Sequence, residues 1–325
     1  MTVPDRRPWP LPRAALQRFA DRVAPDSRAV SVRRLGGGLD AAMHALDLLL
    51  PSGERLRLVL RRYVAELEAD HAGMPERGWH ALRLLGQVSY PAPRPVWFDP
   101  AGELFGTPAL AMTRLPGRTQ LHPRDYAAWL RELAGALAAL HRAPLAGLNL
   151  DGLPGPGHHR AMALKHSRQP DVLATPYVDG PALAAALAQG TPPAAPAALV
   201  HGDYWAGNTL WRRGRLCGVV DWDHAGVDDP ALDVATCRLD LALLEGPAAA
   251  DAFLAAYEAA AGRRVSGLDW WDLAAITAPL PDPARWLPGY HDFARHDVTA
   301  DAMRARLRAF ADTALRRAAA IPPTV

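Results

Sequence analysis

The chain has 325 residues and a formal net charge of +2 at pH 7; half of its residues are hydrophobic and 22% are charged. This balance is ordinary for a globular protein and argues against a basic surface for nucleic acid or membrane lipid. The length favours two lobes over one core. No stretch approaches the roughly 18 apolar residues that span a membrane, and the first residues lack the apolar core of a signal peptide. We therefore expect a cytoplasmic protein without nucleic-acid or membrane partners; nothing in the sequence indicates an oligomeric state.

The first part of the chain is predicted to consist mostly of strands, because short β-prone runs alternate with turn residues. A short amphipathic helix comes first, and a second helix follows the third strand. The predicted helices are 12–23 and 76–86, and the predicted strands are 29–35, 41–50, 56–61, 96–98 and 108–112.

Helical periodicity dominates after Leu115-Pro116-Gly117. The pattern predicts helices over 123–142 and 181–189, and Ala- and Leu-rich helices from about residue 230 to about residue 319. The sequence therefore predicts an α+β fold with a small β-rich lobe, residues 1–114, and a large, mostly helical lobe, residues 115–325.

Residues 199–233 concentrate polar side chains between short strands. Two β-prone runs flank residues 212–215 (RRGR), which are typical of a hairpin turn. If the turn is centred between residues 214 and 215, antiparallel pairing puts Asn208 opposite Asp221. An amide and a carboxylate would then lie at one end of the hairpin, beside the loop that holds Asp203. Three hard oxygen donors there suit Mg²⁺ and a phosphate chain.

The motifs HGDYWAGN (201–208) and VVDWD (219–223) are accompanied by a glycine triplet after the first strand, VLR on the third strand and AMTRLPG (111–117). In this order and spacing they resemble the aminoglycoside phosphotransferase and choline kinase family. The resemblance implies a protein-kinase-like bilobal fold. It also implies transfer of a phosphoryl group from ATP or GTP, with Mg²⁺, to a hydroxyl of a small molecule.

The resemblance assigns roles within the catalytic segment. Asp203 would orient the acceptor hydroxyl and take its proton, and Asn208 and Asp221 would hold Mg²⁺ against the phosphates. His201 would brace the loop through hydrogen bonds. Asp233, on the following helix, would support the backbone of the loop.

The resemblance also implies a nucleotide site in the first lobe. Arg61, in VLR, stands where protein kinases carry a phosphate-binding lysine, and a guanidinium can bind phosphates with two N–H groups. The neighbouring Arg62 is expected to be solvated on the opposite face. The adenine would meet the backbone of Thr113 and Leu115, with Met112 behind it and Leu210 and Val220 on its other face.

The glycine triplet is a weaker signal. Gly36, Gly37 and Gly38 do not match G-x-G-x-x-G, and a plain turn explains them as well as a phosphate cover does. Their position between two strands favours the phosphate cover.

The chain departs from the family where a helix glutamate should anchor the basic residue of the third strand. Gly78 holds that position, and Glu76 lies about 200° around the helix from it. Three acidic residues between the third strand and this helix could substitute, or the pair could be absent; these residues are Glu66, Glu68 and Asp70.

Two alternative functions remain open at this level. A pseudokinase with a regulatory or interaction role is motivated by Gly78 and opposed by the intact catalytic triplet. A dinuclear hydrolase could use His201 and His224 with the nearby aspartates, but it would leave Asn208 and the glycine triplet without a purpose.

The acceptor is only loosely indicated. An aminoglycoside or another antibiotic is one candidate class, and choline, a sugar or an amino alcohol is another. Acidic residues near the loop could attract a cation and aromatic residues could stack on it, but solvated acids and core aromatics are the favoured explanation. The acidic residues are Asp223, Asp228 and Asp229, and the aromatic ones are Trp205, Trp286, Tyr290 and Phe293.

Overall fold

The computed structural model describes residues 10–36, 41–64, 73–193 and 195–320. The chain forms two compact units, and the first of them is not continuous in sequence. The first unit comprises Met1–Gly117, Asn149–Gly152 and Cys217–His224; the second comprises Arg118–Leu148, Leu153–Leu216 and Ala225–Val325. A single boundary after residue 114 therefore does not separate them, because the segment that carries Asp221 belongs with the first strands.

The first unit is built on a five-stranded antiparallel sheet in the order β1-β2-β3-β5-β4. Strand β3 has neighbours on both sides, so that Arg61 stands opposite Met43 on β2 and Leu110 on β5. The strands are β1 (Arg28–Arg34), β2 (Ala41–Leu49), β3 (Arg55–Tyr63), β4 (Pro95–Asp99) and β5 (Ala109–Thr113).

Helix α1 (Arg13–Val23) contributes to the core of the first unit through one face, as its amphipathic sequence predicts. Phe19 on this face is fully buried and packs edge-on against Trp97, with ring centroids 5.1 Å apart. Strands β2 and β3 contribute buried leucines to the same core; these are Leu46, Leu48, Leu58 and Leu60.

Helix α2 (Met74–Leu85) also belongs to the first unit. Pro75 suits its first turn, where a missing N–H breaks no intrahelical hydrogen bond. Trp79 stacks on Phe98 of β4, with ring centroids 5.3 Å apart and an interplanar angle of 13°. Gly78 lies on the buried side of the helix.

The second unit is mostly helical, and α7 is buried along nearly its whole length. It packs against α8, α9 and α11. Side chains cap three helices by accepting a backbone N–H: Asp125 for α3, Asp179 for α6 and Thr299 for α11. The helices are α3 (Tyr126–His141), α4 (His158–His166), α5 (Pro170–Leu173), α6 (Gly180–Gln189), α7 (Ala231–Glu245), α8 (Pro247–Ala261), α9 (Leu268–Ile276), α10 (Leu287–Asp292) and α11 (Ala300–Ala319).

Residues 199–233 contain several short strands. Strand β6 (Ala198–Val200) pairs with β9 (Gly226–Asp228), a strand too short to show an alternating pattern in the sequence. The predicted hairpin is present as β7 (Thr209–Arg212) and β8 (Arg215–Val219). Its turn residues, Arg213 and Gly214, have φ of 53° and 77°, as a two-residue type I′ turn requires. This turn is centred between residues 213 and 214, one residue earlier than expected, so the predicted turn centre is wrong and the placement of Asn208 opposite Asp221 does not follow from it.

Within the described ranges, none of the helices combines the length and the apolar character that a membrane crossing needs.

The buried carboxyl of Asp240 on α7 makes the stability of the second unit depend on pH. Tyr290 donates a 2.7 Å hydrogen bond to its Oδ1. Burial raises the pKa of Asp240 from 3.8 to about 7, although this hydrogen bond opposes the change. The folded protein therefore holds the proton more tightly than the unfolded chain does.

We expect this carboxyl to stabilise the fold fully below about pH 4 and to lose that contribution as the pH rises through about 7. Asp240→Asn cannot titrate. Relative to this variant, the free energy of unfolding of the unmodified protein should fall by about 4 kcal/mol between about pH 4 and about pH 8. Urea unfolding at several pH values measures the difference, and parallel pH profiles would contradict the prediction.

Candidate functional site

The HGD loop leaves the buried strand β6 and turns sharply at Gly202. This residue has a φ of 79°, a left-handed conformation that glycine adopts without steric conflict. The turn allows the N–H groups of two consecutive residues, His201 and Gly202, to point at one side chain. That side chain is the carboxylate of Asp233, in the first turn of α7.

Asp233 is fully buried and fastens the loop through its two carboxylate oxygens. Its Oδ2 accepts from the backbone N of His201 at 2.7 Å, and its Oδ1 accepts from the N of Gly202 at 2.8 Å. His141, the last residue of α3, lies 3.1 Å from Oδ2 through Nε2, and its Nδ1 lies 2.7 Å from the hydroxyl of Tyr257. Burial alone would raise the pKa of Asp233, but the hydrogen bond to His141 and the charges and N–H group around it lower it. Asp233 is therefore held as a carboxylate.

Asp203 and Asn208 are joined directly. Asn208 ends a single turn of 3₁₀-helix, Ala206–Asn208, and its Nδ2 donates to the backbone oxygen of Asp203 at 2.9 Å and to Oδ2 of Asp203 at 3.0 Å. Because both contacts use the amide nitrogen, the carboxamide oxygen is directed away from Asp203. His201 is fully buried, and its Nδ1 accepts the N–H of Asp203 at 3.2 Å.

In the first unit, Arg61 lies between two carboxylates. Its Nη1 donates to Oδ1 of Asp221 at 2.6 Å, and its Nη2 forms an ion pair with Oδ2 of Asp223 at 2.7 Å. Tyr63, two residues further along β3 and therefore on the same face, donates its hydroxyl to Oδ1 of Asp223 at 3.1 Å. Asp221 has a φ of 70°, an uncommon value for a residue with a side chain.

Burial is the largest single influence on the pKa values of Arg61 and Asp223, but it does not decide both. It favours loss of charge on Arg61, but the carboxylates of Asp221 and Asp223 outweigh it and raise the pKa of Arg61 above its usual value. Burial raises the pKa of Asp223 to about 7, and the guanidinium of Arg61 opposes this increase.

Arg62 corrects one expectation. It is buried, not solvated, and its guanidinium lies 5.9 Å from the ring centroid of Phe105. The alternation of β3 does place it on the face opposite Arg61. That face packs against other residues of the first unit, so it does not offer Arg62 to solvent.

The residues expected around an adenine differ in exposure. Met112 and Thr113 end β5; Met112 is buried, and the N–H of Thr113 donates to the oxygen of Arg94 at 2.9 Å, so this N–H is already used within the protein. Leu115, Leu210 and Val220 are half-buried.

Several predicted residues lie outside the described part of the chain. Gly36 is described and exposed, whereas Gly37 and Gly38 are not described, and neither are Glu66, Glu68 and Asp70.

The acidic residues proposed for a cationic acceptor are engaged inside the protein. Asp223 belongs to the Arg61 group, and Asp228 accepts from the N–H of Gly157 and contacts His159. Asp229 accepts from the indole of Trp271 at 2.9 Å.

The aromatic residues proposed for the acceptor also pack internally. Tyr290 is fully buried, and Trp205 packs edge-on against it and lies beside Phe293. Trp286 is half-buried and packs against the core of the second unit. Core packing thus accounts for these rings.

The sequence analysis did not identify two residues that support the site, His141 and Tyr63. His141 is one polar residue at the end of an Ala- and Leu-rich helix, and nothing in that pattern distinguishes it from a helix terminus. Tyr63 could have been found, because a period of two from Arg61 puts it on the same face.

The side chains expected to hold a metal carry the oxygen donors that Mg²⁺ prefers. Over the described residues, no three His, Cys, Asp or Glu side chains cluster so as to hold a metal ion. His201 is buried with Nδ1 turned to Asp203, which withdraws it from a metal site. Asn208 and Asp221 each offer a hard oxygen, the donor type that Mg²⁺ prefers.

A family model described as the phosphotransferase enzyme family matches residues 31–268. The chain is 32% identical to a homoserine kinase of Gluconacetobacter diazotrophicus over 191 residues, which are 53% of this chain and 55% of the kinase. The match therefore spans little more than half the length of that relative.

Solved structures of low sequence identity share the fold. A proposed aminoglycoside phosphotransferase of Ralstonia eutropha has a TM-score of 0.67 at 18% identity, covering 95% of this chain and 99% of that chain. A thermostable mutant of aminoglycoside phosphotransferase APH(4)-Ia, solved as a ternary complex with ADP and hygromycin B, has a TM-score of 0.59 at 16% identity. That comparison covers 95% of this chain and 100% of the other. The predicted protein-kinase-like α+β fold is confirmed.

Asp233→Ala should destabilise the second unit, because it leaves three partners without their acceptor: the N–H groups of His201 and Gly202 and the ring of His141. We expect the free energy of unfolding to fall by about 3–5 kcal/mol. Asp125→Ala, which removes one exposed cap hydrogen bond from α3, is the matched control and should cost about 1 kcal/mol. Denaturant unfolding measures both, and equal losses would refute the special role of Asp233.

Proposed function

Because the chain belongs to the phosphotransferase enzyme family, we propose that it transfers the γ-phosphoryl group of ATP or GTP to a hydroxyl group of a small molecule. One observation carries the proposal: the carboxylate of Asp203 is oriented by the amide of Asn208, in a loop whose backbone Asp233 fastens. A carboxylate set in this way suits a reaction in which positioning supplies most of the rate enhancement.

Asp203 is the proposed catalytic residue. Its carboxylate orients the acceptor hydroxyl and takes the proton as the hydroxyl oxygen bonds to the γ-phosphorus. The bond between that phosphorus and the β–γ bridging oxygen breaks, and the nucleoside diphosphate leaves. Asn208 and Asp221 are the proposed ligands of Mg²⁺, which when bound would neutralise charge on the phosphates.

The nucleotide side of the proposal rests on Arg61, whose guanidinium can contact phosphate oxygens through its N–H groups. Residues 1–114 are proposed as the nucleotide-binding lobe and residues 115–325 as the catalytic and acceptor-binding lobe, with residues 217–224 packed in the first compact unit. Further proposed nucleotide contacts are Gly36, Gly37, Gly38, Met112, Thr113, Leu115, Leu210 and Val220.

The acceptor class is proposed from the relatives. The homoserine kinase and the hygromycin B complex point to two kinds of hydroxylated acceptor, an amino acid and an aminoglycoside. The decisive experiment is a screen of nucleotide consumption by the purified chain with Mg²⁺. It covers aminoglycosides, other hydroxylated antibiotics, homoserine, amino alcohols including choline, and sugars. Acceptor-dependent release of ADP or GDP with a phosphorylated product supports the proposal, whereas nucleotide binding without turnover of any acceptor would favour the pseudokinase.

Asp203→Ala should lower turnover by on the order of 10²–10⁴, the range for positioned acid–base groups, and leave nucleotide affinity nearly unchanged. The reason is that Asp203 acts on the acceptor hydroxyl and not on the nucleotide. Steady-state kinetics and calorimetric titration with a non-hydrolysable nucleotide separate the two effects. Loss of nucleotide binding would show that Asp203 has been given the wrong role.

Asp221→Ala should instead weaken nucleotide binding, and mainly in the presence of Mg²⁺, because it removes a proposed metal ligand. The measurement is the nucleotide dissociation constant with Mg²⁺ and with EDTA. An equal affinity change in both conditions would contradict metal ligation by Asp221.

A further inference from the structure

On the basis of the proposed function, we propose that Asp223 is the positioning residue that holds Arg61 toward the nucleotide phosphates. In the related family a glutamate of the helix has this role, but in this chain α2 carries Gly78 at that position and supplies no carboxylate. The anchoring charge thus comes from the chain two residues after Asp221 and not from the helix.

Exposure distinguishes the two carboxylates that contact Arg61. The side chain of Asp223 is 3% exposed and that of Arg61 is 9% exposed, whereas the side chain of Asp221 is 37% exposed. A ligand in solution can therefore reach Asp221 but not Asp223. Asp223 is the carboxylate that stays with Arg61 when Asp221 binds something else.

Gly78 and Asp223 use the same space. A Cβ added to Gly78 would lie 2.3 Å from Oδ1 of Asp223 and 3.4 Å from the hydroxyl of Tyr63. The first distance is too short for a real contact, so a side chain at position 78 would force the carboxylate of Asp223 out of its present position. A glycine inside a helix costs about 1 kcal/mol relative to alanine, and this close approach gives the reason for it.

Both oxygens of Asp223 are engaged within the first unit. Oδ2 pairs with Arg61, Oδ1 accepts from Tyr63, and the ring of Tyr63 lies 5.2 Å from the guanidinium carbon of Arg61. Asp223 and Tyr63 together hold the guanidinium from two sides. The same contacts leave Asp223 poorly placed as a second Mg²⁺ ligand.

The test is a double-mutant cycle between Asp223→Asn and Arg61→Ala, read as nucleotide dissociation constants. We expect Asp223→Asn to weaken binding by about 10-fold or more, because it removes the buried anion from the ion pair with Arg61, and to add little in the Arg61→Ala background. Asp272→Asn is the matched control: it makes the same change in the buried Arg238–Asp272 pair, whose closest contact is 3.0 Å. That variant should lower stability and leave nucleotide affinity unchanged.

Relocating the carboxylate gives a second readout. Asp223→Ala empties the space beside Gly78, and adding Gly78→Glu should restore a carboxylate to Arg61 from the helix. We expect the double variant, checked for folding by circular dichroism, to regain most of the nucleotide affinity that Asp223→Ala loses. A folded double variant that binds nucleotide no better than Asp223→Ala would show that a carboxylate at position 78 cannot replace that of Asp223, and would overturn this part of the proposal.

The outcomes separate this inference from the proposed function. Additive effects of Asp223→Asn and Arg61→Ala, or an effect of Asp223→Asn that high Mg²⁺ abolishes, would overturn the positioning role while phosphoryl transfer by the unmodified protein still stands. Failure of the unmodified protein to transfer phosphate, with nucleotide bound and the two substitutions coupled, would overturn the function and support the positioning role.

Discussion

The constraint on which the first unit depends is the buried charge of Arg61. A guanidinium in the middle of a sheet loses its hydration and must be compensated by carboxylates at close range. Strand β3 supplies only the cation and Tyr63, so both carboxylates come from residues 217–224, a segment some 160 residues later in the chain. This pairing ties the segment to the first strands, and the carboxylate of Asp223 takes the space that a side chain at position 78 would need.

The second unit also contains a buried charge that must be compensated, in this case a negative one. The carboxylate of Asp233 is buried without an arginine or lysine, and it is compensated by two backbone N–H groups and the ring of His141. Such hydrogen bonds lower the pKa of a buried acid and fix the groups that make them. The geometry of the HGD loop therefore follows from the charge of one residue on α7. The loop is thereby held to a helix and not to another loop, which suits its proposed role of orienting a reacting hydroxyl.

Local patterns predicted much of the architecture. Alternation in β3, helical periodicity in α1, and the turn residues at 213–214 all specify local backbone structure, and each element is present. The patterns failed where partners are distant in sequence. Arg62 was expected in solvent because alternation gives the face of a side chain but not what covers that face. The aromatic residues near Trp205 were ambiguous for the same reason. The sequence does not distinguish an aromatic side chain that binds a ligand from one that packs in the core.

The sequence by itself determined the family and the α+β class and led to the proposed site residues, because these depend on motif order and on spacing within short segments. Tertiary structure alone decided which carboxylate anchors Arg61. Helix α2 provides a glycine, and no local pattern shows that residue 223 fills the space above it. That choice depends on the distance between a helix and a loop that meet only after folding. Two factors decide it: a side chain at position 78 would clash with the carboxylate of Asp223, and a buried guanidinium needs a buried anion beside it.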